Sequence, residues 1–200
     1  MTAQTTQPAS LPWLEKLIAF PTISGTSNLE LIELIEAEFA RYGYSGVRTY
    51  NEDRTRANLL VTIPAADGTT RGGLILSGHT DVVPVAGQAW DADPFTLRVE
   101  GTRAYGRGVC DMKGFLAVAL WLLPRVAEAK LRTPLHFAFS YDEEMRPPSS
   151  RSSWRATSPP TTRLLVSLPA CALSPRTRVR TAAASPSPAC PSTAPWQPTA

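Results

Sequence analysis

This 200-residue sequence predicts an α/β fold with a sheet that contains parallel strands, on three observations. Segments of helical period alternate with short apolar runs between residues 10 and 140. One run, Leu74-Ile75-Leu76, is continuous and follows Gly72-Gly73, as expected of a strand buried on both faces. Finally, the polar clusters able to carry chemistry stand at element ends rather than inside elements.

Taken in order, Ser10 is placed to cap a first helix, with Pro12 in its first turn and Leu14, Leu17 and Ile18 facing inward, and Pro21 ends it. Ser27-Asn28-Leu29-Glu30 has the pattern of a capping box opening a second helix. Leu31, Ile32, Ile35 and Phe39 give that helix its apolar face, and Gly43 stops it. Val47–Tyr50 and Asn58–Ile63 read as strands, then Leu74–Leu76. Lys113–Ala129 reads as a helix, with Pro124 near its end as a kink or stop, and Leu135–Ser140 as a further strand. There is no internal repeat.

Charge divides the chain. Residues 1–144 hold all 17 acidic residues and 13 of the 20 basic ones, whereas residues 145–200 hold seven Arg and no Lys, Asp, Glu, His or Gly. The overall +3 therefore belongs to the tail and carries no implication of nucleic-acid binding by the body. Eleven of the 19 Pro lie in that tail, and Arg, Pro, Ser, Ala and Thr dominate it. Such a composition buries too little surface to offset the entropy of ordering, so residues 145–200 are expected to be an irregular tail. The abruptness of the break suggests a reading-frame shift in a GC-rich gene. The longest apolar stretch, near Phe115–Leu123, is too short to span a membrane, and the polar, uncharged start lacks the pattern of a secretory signal. Cys110, Cys171 and Cys190 are too few and scattered for a disulfide framework, which points to a reducing cytoplasm.

Three clusters carry the chemistry. Ser77-Gly-His79-Thr-Asp81 follows the third strand, Tyr105-Gly-Arg-Gly-Val-Cys-Asp111-Met-Lys113-Gly114 precedes a helix, and Tyr141-Asp142-Glu143-Glu144 follows the last strand. Ligands of open α/β sheets bind beyond the carboxyl ends of strands, so His79, Asp111 and the acidic pair could share one crevice. One imidazole with several carboxylates suits zinc, cobalt or manganese. Asp81, two residues beyond His79, could fix its tautomer and raise its basicity. Glu143 and Glu144 are expected to point to opposite sides, one to a metal and the other to the attacking water. Read singly, each cluster has a plainer meaning: His-x-Asp as a loop pair, Asp-Glu-Glu as a solvated turn, the Gly-Arg-Gly segment as a turn before a helix, and Lys113 as a helix-start lysine. Cys110 reads as a small buried residue and His136 as a core residue or a support for the site.

In combination, Ser77-Gly-His-Thr-Asp-Val-Val-Pro-Val85, Tyr105-Gly-Arg-Gly-x-Cys-Asp-Met-Lys-Gly-Phe115 and Ser140-Tyr-Asp-Glu-Glu144 resemble the co-catalytic zinc aminoacylase/carboxypeptidase family over about residues 10–144. The resemblance implies a zinc-peptidase-like mixed sheet flanked by helices, of which residues 1–144 are the N-terminal part. It implies two divalent ions, zinc or cobalt. His79 would be a ligand of one, Glu144 of the other, and Asp111 the carboxylate between them. Glu143 would be the general base and Asp81 the residue orienting His79, with a cis peptide at Asp111–Met112. Cys-Asp-Met-Lys-Gly-Phe and Ser-Tyr-Asp-Glu-Glu are most similar to the branch that hydrolyses N2-acetyl-L-ornithine to acetate and L-ornithine in arginine synthesis. The desuccinylating branch, acting on succinyl-diaminopimelate, more often has Ala-Asp-Met-Lys-Gly-Ser. A small N-acyl amino acid is the partner this implies, with no nucleic acid and no membrane, and full-length members are expected to form homodimers. The family's later carboxylate and histidine ligands and its lid domain have no counterpart in residues 145–200, so impaired activity is expected of this chain. The alternative outside the family is a non-catalytic protein whose Arg/Pro/Ser tail binds nucleic acid or a Pro-binding domain.

Overall fold

The computed structural model describes residues 7–145 and the backbone of residues 163–166. Among the described residues three α-helices, α1 (Leu11–Ile18), α2 (Leu29–Ala40) and α3 (Gly114–Glu128), accompany seven strands. Five strands form one sheet in the order β1 (Gly46–Tyr50), β2 (Ala57–Ile63), β6 (Leu135–Ser140), β3 (Leu74–His79) and β7 (Arg163–Val166). β1–β2 and β2–β6 pair antiparallel, whereas β6–β3 and β3–β7 pair parallel. The sheet is thus mixed, as expected. β4 (Arg98–Glu100) and β5 (Arg103–Tyr105) form a separate two-stranded ribbon that the sequence reading does not include.

The core lies on one face of the sheet. Leu59, Val61 and Ile63 of β2 and Phe137 and Phe139 of β6 cluster with the buried faces of α1, α2 and α3. Phe39 of α2 meets Phe137 and Phe139 edge-on, with ring centroids 5.0 and 6.2 Å away. Among the described residues all three helices stand on this face, so an expectation of helices on both faces is not met there. Gly78 of β3 shows how tightly α3 packs: a Cβ on it would come within 2.7 Å of Leu116 Cδ2.

The helix ends reveal local surprises. α1 begins after Ser10, but the Ser10 side chain makes no capping bond. α2 begins after Asn28, and the Ser27–Glu30 capping box does not form: Ser27 Oγ accepts from Leu29 N–H at 3.3 Å instead. Asn28, 2% exposed, has a different task. Its Oδ1 accepts from Ala57 N–H at 2.9 Å, and its Nδ2 donates to Ala57 O at 2.9 Å and Thr80 Oγ1 at 3.0 Å. The side chain therefore ties α2 to β2 and to the residue following β3. Gly43, at φ +80°, ends α2 as read, and Tyr44 N–H reaches back to Phe39 O at 3.1 Å. Pro124 neither stops nor bounds α3, which continues to Glu128.

Of the tail, Met145 and the strand Arg163–Val166 are described; that strand lies on the sheet edge beside β3, where irregular chain was expected. The rest of the expectation for residues 145–200 falls outside the described residues.

If Asn28 is an anchor rather than a cap, Asn28→Ala removes the side-chain partner of the buried Ala57 N–H and C=O and one of two partners of Thr80 Oγ1, and costs about 2–3 kcal/mol in urea denaturation. Ser27→Ala, on the surface, costs about 0.5 kcal/mol or less. Equal costs would contradict this assignment.

Candidate metal centre

Topology brings the three clusters together. β3 and β6 are parallel neighbours in register, with His79 opposite Ser140, so the segments that follow them leave the same edge of the sheet. α3 connects the two and must run back between them, which puts its N-terminal turn, Val109–Lys113, at that edge as well. Within this turn Asp111 and Met112 depart from helical backbone angles, and the peptide between them is cis. Gly108 starts it at φ +82°, where a Cβ would lie 2.6 Å from Val82 Cγ1; only glycine lets the turn sit this close to the residues after β3. Lys113 N–H closes the turn on Gly108 O at 2.8 Å.

His79 is 5% exposed. Its Nδ1 lies 2.9 Å from Asp81 O, and since a carbonyl only accepts, Nδ1 carries the proton. Nε2 therefore faces the crevice, 3.0 Å from Asp111 Oδ1. Two ligands of one tetrahedral zinc ion stand about 3.3 Å apart, so this pair already has nearly the spacing of a shared ion. Asp111 is half open to solvent. Ligand atoms of His79, Glu143 and Glu144 all lie within 4.8 Å of one another. Both glutamates thus turn toward His79. The expectation of opposite sides assumed a strand, but Tyr141–Met145 is an irregular turn in which Asp142 has φ +56°.

Asp81 has more partners than a histidine-orienting role needs. Its carboxylate accepts from Ser24 Oγ at 2.6 Å, Glu143 N–H at 3.1 Å and Glu144 N–H at 3.2 Å, and stands 3.4 Å from His79 Nδ1. The imidazole is oriented mainly by the Asp81 backbone carbonyl, and the carboxylate holds the acidic turn. Burial alone would push His79 down. The Asp81 carboxylate and then Asp111 outweigh it, lifting the imidazole from its usual 6.5 to about 9. Burial likewise favours a protonated Asp81, but His79, Ser24 and the turn's amide hold it below the usual carboxylate range. Glu144 is raised by burial and by the charge of Asp111. A cation in the crevice would reverse that shift, and the mixed nitrogen and oxygen donors suit a divalent ion.

Cys110 is exposed, since the turn at Val109–Lys113 points it outward, and is not a small buried residue. His136 is a core residue, wholly buried, with Nδ1 paired to Thr62 Oγ1 and Nε2 to Gly72 O, both at 2.8 Å. Lys113 is more than a helix-start lysine: it is fully buried and its Nζ donates to Phe20 O at 2.6 Å. Burial pushes its amine down to about 7, against the pull of Asp81. Sequence reasoning passed over Ser24 and Asn28, whose partners lie 57 and 52 residues away in Asp81 and Thr80; no local pattern marks such contacts.

The class that emerges is an α/β protein with a histidine–carboxylate centre at the carboxyl ends of parallel strands. Residues 75–161 match the profile of Peptidase family M20/M25/M40, a match that runs past the acidic turn. Over this stretch the chain is similar to that family. The chain is 41% identical over 135 residues to the acetylornithine deacetylases of Salmonella paratyphi B and Salmonella newport. That alignment covers 64% of this chain and 34% of each relative, so the chain spans about a third of the length of the curated relatives it matches. The fold is shared with human carnosine dipeptidase 1 (19% identity, TM-score 0.55, 68% of this chain and 32% of that one). It is also shared with the M20 family metallo-carboxypeptidase Sso-CP2 of Sulfolobus solfataricus (23% identity, TM-score 0.56, 70% and 32%).

An imidazole raised to about 9 stabilises the fold most below pH 6.5, and that contribution is lost as pH rises through 9. In metal-free protein, NMR titration of His79 should give a midpoint near 9, moving down toward 6.5 in Asp111→Asn. A wild-type midpoint at 6.5 would contradict the geometry described.

Proposed function

We propose that the chain carries the N-terminal part of a metal-dependent amidohydrolase catalytic domain that cleaves N-acyl amino acids, with N2-acetyl-L-ornithine as substrate. Water and the amide would give acetate and L-ornithine, a step of arginine synthesis in the cytoplasm. The observation that carries the chemistry is the meeting of His79 Nε2 with Asp111 Oδ1 beside two glutamates. The substrate reading rests on the 41% identity to acetylornithine deacetylases.

In this reading His79 would be a ligand of one divalent ion, zinc or cobalt, Glu144 would be a ligand of a second, and Asp111 would serve both. When bound, the metal would polarise the amide carbonyl and acidify water. Asp81 keeps the Nδ1 proton of His79 in place through its carbonyl and holds Glu143 and Glu144 through its carboxylate. Glu143, the more exposed of the pair, takes the proton of the attacking water and passes it to the leaving amine. Glu144, the more buried, suits a ligand: the burial that raises its carboxyl group is offset by a bound cation.

Residues 145–200 contain no His, Asp or Glu, so His79, Asp111 and Glu144 are the three first ligands this chain offers to two ions. Catalytic zinc normally has about three protein ligands of its own. Weak metal binding and slow turnover are therefore expected of this chain alone.

The test separates the two glutamates. Acetate release from N2-acetyl-L-ornithine with added zinc or cobalt should be slow in the wild-type chain and about 10²–10⁴-fold slower in Glu143→Gln, with metal affinity nearly unchanged. Glu144→Gln should lose metal affinity. Turnover indifferent to Glu143→Gln would overturn its role, and faster cleavage of N-succinyl-diaminopimelate would overturn the substrate.

A further inference from the structure

The acidic turn has a second anchor that the reaction scheme does not use. Asp142, between Tyr141 and Glu143, has φ +56°, a conformation that residues other than glycine keep only where their surroundings hold them. Its Oδ1 accepts from Gly25 N–H at 2.9 Å, and its Oδ2 is paired with Nη1 of Arg56. Both side chains are largely shielded, at 20% exposure for Arg56 and 15% for Asp142. Arg56 immediately precedes β2, and its guanidinium lies 5.5 Å from the centre of the Tyr141 ring. Two residues further on, Asn58 Oδ1 accepts from Tyr141 N–H at 3.1 Å. The start of β2 thus grips Tyr141 and Asp142, while the Asp81 carboxylate grips the amides of Glu143 and Glu144.

We propose that the Arg56–Asp142 pair is a positioning latch. It fixes the left-handed bend from which Glu143 and Glu144 emerge and so sets the affinity and geometry of the metal centre without touching the metal. The proposal rests on reading His79, Asp111 and Glu144 as ligands. A bend at Asp142 determines where the next two side chains project. The two bonds of Asp81 constrain only the amides of Glu143 and Glu144, not the direction from which the chain arrives. Arg56 is an exacting partner, because its guanidinium meets the carboxylate through Nη1 and also stands over the Tyr141 ring, two contacts that a planar guanidinium makes together more readily than a compact ammonium.

Asp142→Asn isolates the pair. Asparagine tolerates the left-handed conformation and keeps an oxygen for Gly25, but lacks the charge that holds Arg56. Cobalt(II) is the probe, titrated into the full 200-residue chain and followed by its visible absorption spectrum. Asp142→Asn and Arg56→Met should each bind cobalt about 10–100-fold more weakly, as expected for groups that support metal ligands. The absorption band of the bound ion should also change, and Arg56→Lys should recover part of the affinity. Arg48→Met serves as a control, removing an ion pair with Glu36 that joins β1 to α2. It should leave the cobalt spectrum and affinity as in the wild type, whatever its effect on the urea midpoint. Should Arg56→Met fail to fold, Asp142→Asn and Arg56→Lys carry the test. Wild-type spectra and affinities in the latch variants, with cobalt lost in Glu144→Gln, would overturn the latch and leave the centre standing. Unaltered binding in Glu144→Gln would overturn the centre, and the latch with it.

Discussion

The buried carboxylate of Asp81 is the constraint on which the rest of the site depends. It is 3% exposed and carries its charge only because Ser24, two backbone amides and a raised histidine surround it. A buried anion is costly unless paired and hydrogen-bonded, so each of those partners is held in place by the same requirement. Ser24 brings the segment after α1 against residues 80–82, where Thr22 and Val82 also pair. Glu143 and Glu144 bring the segment after β6 to the same point. One carboxylate thereby gathers three stretches of chain distant in sequence, and places two further carboxylates beside His79.

Much of this was legible in the sequence, and the reason is topological. Parallel strands joined by a helix bring two strand ends and a helix start to one edge, so β3, α3 and β6 place the segments that carry His79, Asp111 and Glu144 at that edge. The unbroken run at Leu74–Leu76 and the stop at Gly43 were equally plain, because they reflect burial and backbone freedom at single positions. What was not legible depends on distant partners. Ser27 and Glu30 have the spacing of a capping box, but Asn28 is drawn inward by Ala57 and Thr80, and local pattern cannot see that competition. The direction of Glu143 and Glu144 was misjudged for a similar reason: the left-handed backbone of Asp142, held by Arg56 and Gly25, replaces the alternation of a strand. The ribbon of β4 and β5 is only three residues a strand, too short for period to register.

The division of charge along the chain acquires a chemical meaning here. All acidic residues and both histidines lie within residues 1–144, so every Asp, Glu and His side chain available to a cation comes from that part. His79 Nε2 meets Asp111 Oδ1, and both glutamates stand close to His79, while the match to the acetylornithine deacetylases covers 34% of their length. The proposed chemistry accordingly assigns specific work to a few residues: one proton fixed at Nδ1 of His79, one proton moved by Glu143, and one turn held by Asp81 and Asp142.

The most direct measurement of the central claim is anomalous diffraction at the zinc edge from crystals of this chain grown with zinc. The account predicts a peak within coordination distance of His79 Nε2 and Asp111 Oδ1, on the side facing Glu143 and Glu144. A zinc peak bound elsewhere, with His79 Nε2 still hydrogen-bonded directly to Asp111, would contradict it.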